Sequence, residues 1–131
     1  MLTIDSTSKH ALDQVRDLIR FAHRVVKCEY AGTPKAEDRL QAPIALKVQN
    51  SSYTFSGGAG IGRGRVFMRI GGTSAFPVLR KYRRYTHRRE FPCYLLESWQ
   101  EALVMLAAHE LTHVASSKWN HGNQTDVHGD P

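Results

Sequence analysis

His109, Glu110, Leu111, Thr112 and His113 are consecutive, and their types and spacing could do hydrolytic chemistry. Two histidines four residues apart project from one helix face, one turn apart, so both imidazoles can reach a single tetrahedral zinc ion. The glutamate between them can reach a water on that metal. Zinc held by neutral nitrogens keeps its positive charge and lowers the pKa of its bound water towards about 7. A carboxylate beside that water can take its proton and deliver it to a leaving amine. The chemistry implied is peptide-bond hydrolysis by one Zn2+ per chain, with His109 and His113 as ligands and Glu110 as general base.

A catalytic zinc needs a third protein ligand and an open fourth position. The C-terminal tail supplies His121, Asp126, His128 and Asp130. A turn at Asn120 and Gly122 would bring His121 back over the helix, which makes it the first choice, with His128 or an aspartate as alternatives. The oxyanion of a tetrahedral transition state also wants a donor besides the metal. Tyr82, Tyr85, His87 and Tyr94 lie upstream of the motif, and nothing in the sequence chooses among them.

A second cluster is basic. Arg80, Lys81, Arg83, Arg84, Arg88 and Arg89 are six of the 18 lysines and arginines, and they interleave with Tyr82 and Tyr85. Cations can neutralise phosphates and tyrosines can stack on bases, so residues 80–89 are a candidate nucleic-acid contact. Arg63 and Arg65 beside the glycine-rich run 57–64 could extend it. No Gly-Lys-Ser/Thr follows those glycines, which excludes a phosphate-binding loop of that kind.

The elements that must position these groups can be read from periodicity. Leu12, Val15, Ile19, Ala22 and Val26 recur at steps of three and four, predicting a helix over residues 9–27 with Thr7 or Ser8 as its cap. Residues 29–43 carry Gly32, Pro34 and Pro43 among charges and read as a connection. Ile44, Leu46 and Val48 alternate with Ala45, Lys47 and Gln49, predicting a strand with one buried face. A second short strand follows at 53–56. The glycines of 57–64 disfavour a regular element and predict a mobile loop or a bulged hairpin. A third strand, 65–70, faces Val66, Met68 and Ile70 to one side. Phe91-Pro92 then opens a last helix over about 94–117, in which Trp99, Leu103, Ala107, Leu111 and Val114 form the core face and the two histidines its flank.

This order of elements, with HELTH on the last helix and Asn120-His121-Gly122 after it, resembles the zincin fold and most nearly the SprT-like metallopeptidases. The resemblance is specific between Ala107 and Gly122. It implies an α+β, zincin-like domain: an N-terminal helix, a small antiparallel or mixed sheet of about three strands, and a C-terminal metal-binding helix. It also implies His109, His113 and His121 as zinc ligands, Glu110 as general base, and protein substrates, including proteins bound to DNA. In zincins a strand runs along the cleft as an edge that pairs with extended substrate; residues 65–70 are the candidate for that role.

The whole chain is compatible with this. At 131 residues it has room for one core, so a single domain over 1–131 is expected. Hydrophobic residues at 41% and charged residues at 23% fit a globular protein rather than a disordered one. No run of about 20 apolar residues is present and residues 1–9 lack an apolar signal core, so an intracellular protein without membrane contact is expected. Cys28 and Cys93 suit neither a disulfide framework nor a zinc ribbon and read as free, partly buried thiols. The net charge of +6 favours encounter with polyanions. The alternative to a peptidase is therefore a nucleic-acid-binding module whose zinc is structural or vestigial. A metal-free interaction domain with an accidental motif is the third reading.

Overall fold

The computed structural model describes residues 2–51, 55–60, 64–81 and 93–116, with backbone alone for 56–60, 80–81 and 93–94. Its elements, in order, are β1 (Leu2–Ser6), α1 (Leu12–Glu29), α2 (Pro34–Gln41), β2 (Ile44–Asn50), β3 (Phe55–Gly60), β4 (Arg65–Ile70), β5 (Val78–Lys81), β6 (Cys93–Leu96) and α3 (Trp99–Ser116). This is an α+β arrangement of three helices, a mixed four-stranded sheet and a two-stranded hairpin.

Strand order in the main sheet is β1-β2-β4-β3. The first three strands run parallel, with Ile4 opposite Leu46 and Val48 opposite Met68, and β3 closes the sheet antiparallel to β4. Alternation then decides the faces. Ile4, Ile44, Leu46, Val48, Val66, Met68 and Ile70 are all buried on one side, where the helices lie. α1 contributes Val15, Ile19, Ala22 and Val26 to that core, and α2 contributes Ala36 and Leu40. α3 packs against α1, α2, β3 and β4.

Several expectations need correction. Residues 2–6, to which the sequence assigned no element, form β1, because its neighbour β2 satisfies a backbone whose own side chains bury only Ile4. The connection 29–43 contains α2, which Pro34 opens at the first turn, where its missing N–H costs nothing. The first helix begins at Leu12 with Ala11 at its cap; Ser8 instead accepts from His10 N and bonds Ser6 Oγ. Leu12 is exposed. Five of the eight residues of the 57–64 run are described, and 57–60 form the first arm of an antiparallel hairpin with β4, so of the two alternatives the hairpin holds and the loop does not, since a paired backbone needs no side chain. Strand β4 is interior to the sheet and cannot offer an edge; among the described residues the edge beside α3 belongs to β3. Arg80 and Lys81 lie in β5, to which no element was assigned from the sequence, and Tyr94 lies in β6, where a helix was expected. Cys28 is exposed, not partly buried.

One glycine is required by the geometry. Gly64 has φ +60°, and a Cβ there would sit 2.7 Å from Pro43 O. Its carbonyl accepts from Ala45 N at 2.7 Å, so this close approach fixes where β2 and β4 enter the sheet. Among the described residues no helix is long and apolar enough to cross a membrane.

Candidate metal centre

The helix that carries the motif is pinned at both ends. At its start, Ser98 Oγ accepts from Glu101 N and the Glu101 carboxylate accepts from Glu97 N at 2.9 Å, a reciprocal cap that satisfies two amides the helix cannot. Ala102 N donates to Ser98 O, the first bond of the helix. This cap, rather than Phe91-Pro92, sets the beginning of α3, and the Ser-x-x-Glu spacing was present in the sequence to find it. Trp99, buried in the first turn, stacks on His10 with centroids 3.8 Å apart, while His10 Nε2 bonds Gly71 O. At the other end, Arg39 of α2 donates to Ala115 O at 2.8 Å, placing a cation where the helix dipole is negative. Arg39, Ser98 and Glu101 therefore position the site without belonging to it, and none was singled out from the sequence as a site residue.

Between these anchors α3 is buried on nearly every side. Apolar residues account for most of this, but Glu110 is 2% exposed and His113 fully buried. His109 is half-buried. Thr112 and Ser116 return their hydroxyls to Ala108 O and Thr112 O, so these polar groups are satisfied within the helix.

His109 and His113 stand one turn apart with ring centroids 5.0 Å apart and planes at 83°. Two imidazoles on one tetrahedral zinc at about 2.0–2.1 Å would have centroids about 5 Å apart, so the separation of the pair is compatible with such an ion. Nε2 of His113 is buried. Oε1 of Glu110 is also buried and has no hydrogen-bond partner among the described residues. Burial pushes the Glu110 carboxyl up to about 7, and among the described residues no cation offsets the loss of solvent. A carboxylate in that setting either keeps its proton or faces a positive ion.

His109, Glu110 and His113 thus share α3, with the two imidazoles adjacent and Glu110 buried. Among the described residues, no third histidine, cysteine or carboxylate completes a metal-binding group with the two histidines. His121, first choice for the third ligand, lies outside the described residues, as do His128, Asp126 and Asp130. Of the basic run, Arg80 and Lys81 pair through their backbones with Tyr94 and Cys93. Arg83, Arg84, Arg88 and Arg89 lie outside the described residues, together with Tyr82, Tyr85 and His87. No family model, curated protein or solved structure matches the chain.

Proposed function

We propose that the chain is a zinc-dependent metallopeptidase of zincin type, most like the SprT-like family, acting on proteins that include those bound to nucleic acid. One observation carries the reading. Glu110 is buried on the same helix as two histidines at zinc-compatible separation, with a carboxylate oxygen that no donor among the described residues satisfies.

When bound, zinc would supply a Lewis acid and a water of lowered pKa. The chain's own groups divide the remaining work. His109 and His113 offer imidazole nitrogens from one flank of α3, with His121 as the proposed third ligand. Glu110 accepts a proton at Oε1 and returns it to the leaving amine. β3, at the sheet edge beside α3 among the described residues, can align an extended substrate by adding it as a further strand. The run from Arg80 to Arg89 would hold the nucleic acid that carries the substrate.

The test is metal content and hydrolysis of an unfolded protein by the wild type and Glu110→Gln. About one zinc per chain is expected in both, with hydrolysis reduced by roughly 10²–10⁴ in the variant. Undiminished hydrolysis in zinc-loaded Glu110→Gln, or a wild type that takes up no zinc, sinks the proposal. Zinc content of His121→Ala and His128→Ala then decides the third ligand.

A further inference from the structure

The face of the main sheet turned away from the helices has a composition unlike a merely solvated surface. Parallel strands are seldom left open to water on one side, because the crossovers that join them usually cover both faces. Here β1, β2 and β4 are parallel, and the helices occupy one side. On the other side Phe67, at the centre of the sheet, is 50% exposed. Arg65 and Arg69 flank it along β4, about 7 Å away on either side by strand geometry. Lys47 is its partner on β2, and Gly58, which has no side chain, is its partner on β3. Asp5, in register with Lys47, is the one carboxylate on this face among the described residues. A groove of about 300 Å³ runs over this surface between Thr3, Asp5, Lys47, Arg65 and Phe67.

We infer that this open sheet face is a binding platform for single-stranded nucleic acid, with Phe67 as the stacking residue and Lys47, Arg65 and Arg69 as phosphate contacts. An exposed ring gives any unpaired base a surface to stack on, and the missing side chain at Gly58 leaves room beside it. Three cations around that ring neutralise the backbone of the strand whose base is stacked. A duplex keeps its bases stacked inside and cannot present one to a ring on a flat sheet. A second copy of the chain is a poor occupant, since a two-fold interface here would bring the three cations against themselves. The residues of the platform lie outside the run 80–89 in the sequence, and the inference does not depend on the peptidase reading.

The experiment is fluorescence anisotropy of the full-length chain, with no metal added, against labelled oligo-dT and oligo-rU of about twelve nucleotides and a duplex of equal length. Each is titrated at several salt concentrations. Single strands should bind more tightly than the duplex, and Phe67→Ala should weaken them at least about tenfold while keeping the salt dependence. The double variant Arg65→Glu, Arg69→Glu should weaken binding and flatten the salt slope by about one to two. Circular dichroism checks that each variant folds, which half-exposed positions allow. Stronger binding of rU assigns RNA as the class and stronger binding of dT assigns DNA, and either supports the platform. Three results overturn it: Phe67→Ala binding like the wild type, duplex binding as well as single strand, or loss of binding confined to Arg83→Glu, Arg84→Glu.

Discussion

Helices α1 and α3 are each 18 residues long and lie against one another, yet they are built on different plans. α1 buries four residues, Val15, Ile19, Ala22 and Val26, as a single stripe, and turns Phe21, Val25 and its charged residues outward. α3 buries ten, and two of those are Glu110 and His113. A helix with one apolar stripe contributes hydrophobic area and little else, whereas a helix enclosed on all sides can carry polar groups into a place that water does not reach. Such burial raises the free energy of an ionised carboxylate and makes a cation beside it worth more than it would be at a surface. The difference between the helices is therefore the difference between scaffold and site.

Large-to-small substitutions probe that contrast most strongly. Leu103→Ala, at a fully buried position of α3, should cost roughly 3–4 kcal/mol in urea denaturation. Phe21→Ala on α1 should cost about 0.5 kcal/mol or less, since its ring is 48% exposed and touches Arg24 across 5.9 Å. Equal losses would mean that α1 is covered in solution by something the described residues do not include.

A second distinction is pH dependence. In metal-free protein the folded state holds the Glu110 proton up to about pH 7, whereas the unfolded chain releases it near 4.5. Between those values the folded state binds more protons, so stability falls as pH rises and levels off above about 7. The loss is on the order of 3 kcal/mol. Urea midpoints of wild type and Glu110→Gln, compared in chelator at pH 5 and pH 8, should diverge by that amount, and added zinc should restore the wild type at pH 8. A wild type with the same pH profile as the variant would refute the burial argument.

Arg39→Ala removes the charged donor from the last turn of α3 and should cost about 1 kcal/mol, with faster amide exchange at the end of that helix than anywhere on α1. The smallest effect is expected from His23 on α1. Burial lowers its pKa, assisted by Lys27 and the N-terminus and opposed by its bond to Leu40 O. The unfolded chain then takes up a proton below about 6.5 that the folded chain resists, so stability falls as pH drops through that range. His23→Gln should flatten this acid-side slope, which has the opposite sign to that of Glu110. An unchanged slope would mean that His23 titrates freely.

Much of this organisation was legible in the residues. The three- and four-residue spacing from Val15 to Val26 marks α1, and the alternation in Ile44–Asn50 and Arg65–Ile70 marks two strands, because a long amphipathic pattern records which side is buried. Short elements leave no such record. β1 buries only Ile4 and α2 only Ala36 and Leu40, too few positions to reveal a period. β5 and β6 have four residues each, and their backbones depend on one another for partners. β3 is written largely in glycine, and its neighbour β4, rather than propensity, makes it a strand. The reciprocal cap at Ser98 and Glu101 was legible and marks the start of α3 better than the proline upstream.

The spacing of His109, Glu110 and His113 was determined by the sequence alone, since the helical repeat places residues four apart on one face whatever surrounds them. So were the net positive charge and the inward and outward alternation of each long strand. Tertiary structure alone decided that Glu110 would be shut away from water, that β3 rather than β4 would lie at the edge beside α3 among the described residues, and that Phe67 would stand half-exposed among cations. The physical reason is that burial, pairing and exposure are properties of neighbours brought together from distant parts of the chain, and local periodicity carries no information about which neighbours arrive.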